Sequence, residues 1–388
     1  EAVAIASQAQ ISWAKTDAFD RAKILHKAAN LMREANDELA HLEVRDVGKV
    51  FSEAVSGDVP SGTDAFDYFA ACITAQNGDF NKWDKAIGYS VRVPLGVCAG
   101  IGAWNYPMQI ACWKSAPALA AGNAFILKPS EETPFVAHKV AELLQAAGLP
   151  DGLFQIIHGD RDIGAALCAH PGIAKISLTG GVETGRLIMA QSAQSLKKIT
   201  LELGGKSPLL VFEDCDFDLA VQTALDANFY TGGEVCSNAT RVFVQRSIAD
   251  DFIAAMTART EAMRVGDPMA SDIQMGALIS KRHLAKVLDY VKIGVDEGAT
   301  IATGGNALQP QGFENGYFMQ PTILTNCHDD MRVVREEIFG PVMSVLIFDD
   351  EDEAIRRANS TNFGLGAGVM TQDLARAHRV ADALESGN

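Results

Sequence analysis

From about residue 95 onward the sequence alternates short, uniformly apolar runs with helical stretches, and this alternation restricts the fold more than any other feature. GVCAGIGAW (96–104), NAFILKPS (123–130), LFQIIHG (153–159), IAKISLTGG (173–181) and KKITLELGG (197–205) read as strands. MQIACWKSAPALAAG (108–122), PFVAHKVAELLQAAG (134–148), IGAALCAH (163–170) and ETGRLIMAQSAQ (183–194) read as the helices between them, the first two ending at C-cap glycines. Strands apolar on both faces suit a parallel sheet covered on both sides. The fold class is therefore α/β, with a doubly wound, Rossmann-like domain that binds a nucleotide at the carboxyl ends of its strands. A second strand–helix series runs from SPLLVF (207–212) to DLARAHRVADALES (373–386). Ahead of the first sheet, 20–49 has helical spacing, and WDKAIGYSVRV (83–93) alternates with period two, as a hairpin or arm would.

A length of 388 residues suits two or three domains. The formal charge of -16 argues against nucleic acid and anionic membrane as partners, because both need clustered Lys and Arg. No apolar run reaches the roughly 18 residues of a membrane span. The seven cysteines are scattered with no CxxC pair, which fits reduced thiols in a cytoplasmic compartment better than a disulfide framework. Neither they nor the eight histidines suggest a metal site. The opening EAVAIASQAQISWAK already reads as helix and the chain stops just after one, so both ends read as cut from a longer protein.

The nucleotide signals are unusual. GxGxxG and the P-loop pattern are both absent. LTGGVETGR (178–186) instead runs from a strand through glycines into a helix, where Gly180, Gly181 and Gly185 can aim backbone N–H groups at a phosphate or nicotinamide. Lys128 and Glu131 sit just past a strand end, and a carboxylate there can bind ribose hydroxyls while repelling a 2′-phosphate. Taken alone, the first is at least as well described as an ordinary strand-to-helix turn, and the second is better described as a solvated charge pair. FYTGGEVCSNATR (229–241) surrounds Cys236 with small residues, where a core thiol would have large apolar neighbours.

Taken together, WNYP (104–107), ILKPSE (126–131), LTGG (178–181), LELGGKSP (201–208), GGEVCSNATR (232–241) and EEIFGP (336–341) resemble the aldehyde dehydrogenase superfamily in order and spacing. The resemblance covers essentially the whole chain and is nearest the betaine aldehyde and trimethylaminobutyraldehyde branch. It implies NAD as cofactor and an aldehyde as substrate, oxidised to an acid through a cysteine thiohemiacetal and thioester. It implies an NAD-binding domain at 1–75 and 94–204, a β-arm for oligomerisation at 76–93, and a catalytic domain at 205–388. A homodimer or homotetramer would be built through the arm.

The same resemblance assigns roles. Cys236 is the nucleophile, Asn105 an oxyanion donor and Glu202 the base that activates water. Trp104, Lys128, Glu131, Gly180, Gly181, Gly185, Leu203, Glu337 and Phe339 hold the cofactor. Tyr106, Trp113 and Tyr230 line the substrate pocket, with Tyr106 and Trp113, seven apart, as two walls of an aromatic box for a trimethylammonium group. Flanked by Leu201, Leu203 and two glycines, Glu202 is expected to be partly buried with its pKa raised toward neutral. Glu234 departs from the family, which usually carries Gln there. A carboxylate two residues from the thiol would raise the thiol's pKa unless it points away. Two other readings stay open: a general aliphatic aldehyde dehydrogenase, and a catalytically silent member serving as a structural protein. Acylating relatives are disfavoured, because they need no hydrolytic base at 202.

Overall fold

A computed structural model describes all 388 residues and divides into two compact units. The first comprises Glu1–Val47 and Ser52–Glu202; the second comprises Gly48–Phe51 and Leu203–Asn388. The chain opens with α1 (Ala2–Trp13), α2 (Ala18–Glu34) and α3 (Asn36–Val47). A single turn, α4 (Phe51–Glu53), and a π-helical stretch at Ala54–Asp58 precede α5 (Val59–Thr74). The segment 76–93 contains a two-stranded antiparallel hairpin, β1 (Phe80–Trp83) with β2 (Ala86–Tyr89).

The first unit is built on a five-stranded parallel sheet: β3 (Val97–Ile101), β4 (Ala124–Lys128), β5 (Phe154–Ile156), β6 (Lys175–Thr179) and β7 (Lys198–Glu202). Every residue of β3 and β4 is buried, as their unbroken apolar runs require. Between the strands lie α6 (Pro107–Ala120), α7 (Phe135–Ala147), α8 (Arg161–Ala169) and α9 (Val182–Ala193). Helix α7 ends at Gly148 in the left-handed conformation, as expected, because only glycine enters that region without a side-chain clash. The spatial order β5-β4-β3-β6-β7 reverses direction between β3 and β6. Their carboxyl ends therefore flank the crevice where doubly wound sheets take ligands.

The second unit carries a six-stranded sheet in the order β10-β13-β14-β9-β8-β15. Its strands are β8 (Pro208–Val211), β9 (Arg241–Gln245), β10 (Thr300–Thr303), β13 (Thr322–Thr325), β14 (Val342–Phe348) and β15 (Gly368–Met370). All neighbours run parallel except β10 against β13. A small antiparallel pair, β11 (Ala307–Leu308) with β12 (Phe318–Met319), lies outside it. One face packs α10 (Phe217–Phe229) and α11 (Ala249–Glu261) through Val221, Leu225, Phe229, Phe252 and Met256. Val287 and Val291 of α12 (Lys281–Asp296) pack with Phe243, Leu324 and Phe348 in a separate core. The shorter helices are α13 (Arg332–Arg335), α14 (Glu351–Asn359) and α15 (Leu374–Ala383). No helix is long and apolar enough to cross a membrane.

Candidate active site

In the first unit the site residues gather along one edge of the sheet because each follows a strand. Trp104, Asn105 and Tyr106 leave the end of β3, and Gly180 leaves β6. Lys128 is the last residue of β4 and Glu202 the last of β7. Cross-strand bonds hold the edge in register: the Gly102 N–H donates to the Lys128 carbonyl (2.9 Å), and the Gly180 N–H to the Glu202 carbonyl (3.0 Å). The buried Glu43 carboxylate accepts the Met108 N–H (3.1 Å) and so anchors the first turn of α6, directly after Trp104–Tyr106.

The first unit can accept a dinucleotide. Gly181 is the N-cap of α9 and offers no side-chain cap, and a methyl group built there would meet nothing within 4 Å. The first N–H groups of that helix are thus available to an anion. Gly180 is half-buried and Gly185 is buried in the same turn. Lys128 is buried; its Nζ donates to the Pro129 carbonyl (3.1 Å) and lies 3.2 Å from the exposed Glu131 carboxylate. This pair presents a donor and an acceptor of the kind ribose hydroxyls need.

Asn105 is buried, and Trp104 and Tyr106 are half-buried. Tyr106 is the N-cap of α6. Trp113 lies in that helix, 52% exposed, with its indole N–H donating to the Ser61 carbonyl (3.2 Å). One expectation is corrected: Glu202 is exposed, not partly buried. As the terminal residue of a strand it projects past the sheet, beyond the apolar cover that Leu201 and Leu203 led one to expect. Sequence reading also passed over Lys114. Its Nζ donates to Ser177 Oγ (2.9 Å), and burial pushes its pKa down to about 8, opposed by the Glu202 charge. Nothing in the sequence distinguishes it from a surface lysine.

In the second unit the site residues precede strands. Leu203–Gly205 enters β8, Cys236 lies between α10 and β9, and Glu337 and Phe339 lie just before β14. The glycine pair joins these segments. The Gly205 N–H donates to Glu337 Oε1 (3.0 Å). A methyl at Gly204 would lie 2.2 Å from Glu337 Oε2, and one at Gly205 would lie 2.4 Å from the Cys236 carbonyl. The backbone contact at Gly205 leaves no room for a side chain, and at Gly204 a side chain would displace the Glu337 carboxylate. Burial raises the Glu337 pKa, while the Gly205 bond and the Lys286 and Lys206 charges oppose the shift.

Cys236 is half-buried and follows a tight turn in which Thr231, Gly232 and Gly233 all have positive φ (50°, 59° and 73°). Asn228 and Asn238 hold the turn. Asn228 Nδ2 donates to the Ala224 and Ala239 carbonyls (2.8 and 3.1 Å), and Asn238 Nδ2 donates to the Asn228 carbonyl (3.3 Å). Tyr230, at the end of α10, is 38% exposed. Glu234 directs its carboxyl to the start of α12. It is buried, and its carboxyl accepts the Ile279 N–H (3.1 Å) beside His283 (3.5 Å). Burial raises its pKa and so disfavours the charged form, opposed by the Ile279 bond and the Lys49 charge.

Lys206, next to the glycine pair, is a further residue that sequence reading did not single out. It is buried and its Nζ has no hydrogen-bond partner in the protein. Burial, with the Arg241 charge, pushes its pKa down to about 7. Below pH 7 the ammonium is present in both folded and unfolded chains, so the folded state carries the whole desolvation cost. Between about 7 and the free value of 10.5 the unfolded chain binds more protons, and stability gains as pH rises. Lys206→Met is therefore expected to raise stability at pH 6 by on the order of a few kcal/mol and to change it little above pH 10.5. Thermal melts of both proteins across this range test the sign; a lower melting temperature for the variant at pH 6 would contradict it.

The sequence matches the model of the aldehyde dehydrogenase family over residues 1–388. A betaine aldehyde dehydrogenase of Vibrio vulnificus is 54% identical over 97% of this chain and 77% of its own length. One of Rhizobium etli is 54% identical over 100% of this chain and 80% of its own. Among solved structures, the NAD+ complex of an aldehyde dehydrogenase from Bacillus cereus has a TM-score of 0.97 at 39% identity, covering 100% of this chain and 79% of that one. A Staphylococcus aureus betaine aldehyde dehydrogenase in complex with NAD+ also has a TM-score of 0.97, at 38% identity, with 100% and 78% covered.

Proposed function

The chain belongs to the aldehyde dehydrogenase family, and from that premise we propose that it oxidises betaine aldehyde, or a related trimethylammonio- or amino-aldehyde, to the carboxylic acid with NAD. The observation that carries the mechanism is the glycine pair 204–205, which touches both the Cys236 carbonyl and the Glu337 carboxylate.

Cys236 attacks the aldehyde carbon as a thiolate, forming a thiohemiacetal; its small neighbours leave room for the carbonyl. The Asn105 side chain donates to the resulting oxyanion, together with the Cys236 backbone N–H. Bound NAD supplies a hydride acceptor. Gly180, Gly181 and Gly185, with Trp104, Leu203 and Phe339, would support it, Lys128 and Glu131 would hold one ribose and Glu337 the other. Loss of hydride leaves a thioester on Cys236. Glu202 takes a proton from water, the water attacks the thioester, and the acid leaves with the thiolate restored. Exposure of Glu202 suits a group that must exchange protons with solvent. The acidic Glu131 favours NAD over NADP, because a 2′-phosphate would meet its charge.

Tyr106 and Trp113, with Tyr230, would face the trimethylammonium group. A cation over an aromatic face gains about 0.5–2 kcal/mol per ring. Trp113→Ala is thus expected to lower kcat/KM for betaine aldehyde by about 2- to 30-fold and to leave hexanal nearly unchanged. Equal losses on both aldehydes would reduce Trp113 to an ordinary pocket wall, and a wild-type preference for hexanal would favour a general aliphatic enzyme. We also assign a homodimer or homotetramer, assembled through the hairpin, whose Phe80, Trp83, Ile87 and Tyr89 are exposed. A cytoplasmic location accords with seven scattered cysteines that include no CxxC pair.

A further inference from the structure

Two backbone segments of the second unit are held in strained conformations against each other. Thr231, at the head of the cysteine turn, has φ 50°, and Phe339, in the loop before β14, has φ 63°. Non-glycine residues in this region cost about 1–3 kcal/mol each and persist only where the surroundings fix them. The segments touch backbone to backbone: a methyl at Gly233 would lie 2.3 Å from the Gly340 carbonyl carbon. The start of α12 bonds to both. Ser280 caps the helix by accepting the His283 N–H (3.2 Å). The preceding Ile279 N–H donates to Glu234 Oε1 (3.1 Å). His283 Nε2–H donates to the Phe339 carbonyl (2.6 Å) and lies 3.5 Å from the same Glu234 oxygen.

We propose that Glu234 is a positioning residue for Cys236, tying the nucleophile's turn to α12 and, through His283, to the loop that carries Glu337 and Phe339. The proposal rests on Cys236 being the nucleophile. Burial disfavours charge on both partners. It raises the Glu234 pKa, with the Ile279 bond and the Lys49 charge opposing that shift. Burial pushes His283 down to about 4, with Lys286 and Arg282 adding to the effect and the Phe339 bond opposing it. At neutral pH the imidazole is therefore uncharged. A glutamine has the same shape and the same acceptor, so the amide can replace the acid. Alanine removes the acceptor from Ile279 and the contact to His283 together, and so frees the turn that presents the thiol and the loop that presents Glu337.

The test compares wild type, Glu234→Ala, Glu234→Gln, His283→Ala and the Glu234→Ala/His283→Ala double variant. Three quantities are read: the rate of Cys236 labelling by iodoacetamide, the calorimetric Kd for NAD, and the melting temperature. Glu234→Ala is expected to change the labelling rate and to weaken NAD binding, each by about 5- to 30-fold, the scale of one buried hydrogen bond. Glu234→Gln should restore both to near wild type. The double variant should be no worse than the poorer single, because the two side chains form one bridge. A fall in melting temperature with labelling and NAD binding unchanged would overturn the proposal. So would additive effects, or a glutamine variant as impaired as alanine. A wild-type Cys236 that takes no label and forms no acyl adduct would overturn the nucleophile assignment itself, and the proposal with it.

Discussion

Cys236→Ala is expected to abolish NADH formation from every aldehyde, with a loss of at least about ten-thousand-fold in kcat/KM, because removing a covalent nucleophile removes the reaction path. The fold should survive. The side chain is half-buried, and the turn around it is held by the Asn228 and Asn238 bonds, which the substitution leaves alone. The melting temperature should stay within a few degrees of wild type. NAD binding should persist, because the glycine turn at 180–181, the Lys128–Glu131 pair and the Gly205–Glu337 bond are untouched. Steady-state NADH absorbance with betaine aldehyde, trimethylaminobutyraldehyde, an aminoaldehyde and hexanal measures the loss. Retention of even a hundredth of the wild-type rate would place the nucleophile elsewhere. No turnover of any aldehyde by the wild type would revive the reading of a silent, structural family member.

Glu202→Gln is expected to separate the two halves of the reaction. The amide cannot take a proton from water, so hydrolysis of the thioester should slow by about a hundred- to ten-thousand-fold. The first turnover needs only thiolate attack and hydride loss. Rapid mixing should then show a burst of one NADH per active site followed by a nearly flat phase. If Glu202 also deprotonates Cys236, the burst itself will slow, and raising the pH to ionise the thiol should restore it. A variant with an unchanged steady-state rate would show that water is activated by another group. Its exposure at the end of β7 makes Glu202 easy to replace without loss of stability, so a lost rate can be read as chemistry.

The first sheet was legible because β3 and β4 are apolar without interruption and the helices after them run into glycines, whereas β6 and β7 carry polar residues and are only partly buried. The runs containing β3 and β4 could hardly be anything else, and Gly148 adopts the left-handed conformation expected of it. The stretch from 300 to 325 was not legible. Its strands are two to four residues long and are broken by Gly304, Gly305 and a loop at 309–317, too short for either period to register. Nor could the sequence show that Gly48–Phe51 packs with the second unit. That rests on backbone contacts made far along the chain, such as the Phe51 N–H to the Pro268 carbonyl (2.8 Å) and Gly276 against the Gly48 carbonyl.

At the site, motif order pointed to Cys236, Asn105 and Glu337 as candidates, but environment was not readable. Glu202 was expected to be partly covered and is exposed; Glu234 was read only as a carboxylate near the thiol, and is buried with its carboxyl bonded at the start of α12. Lys114 and Lys206 were not singled out at all, and it is burial that lowers the pKa of both. Burial of a side chain depends on what the rest of the chain lays over it, and a local motif carries no record of that.

The central claim, that catalysis passes through an acyl group on Cys236, is met most directly by quenching the working enzyme in acid and weighing its cysteine peptides. With betaine aldehyde and NAD both present, the peptide carrying Cys236 should gain the acyl group, more so in Glu202→Gln, and should gain nothing when NAD is withheld. Turnover with no adduct at Cys236, or an adduct at Cys72, Cys215 or Cys327 instead, would contradict it.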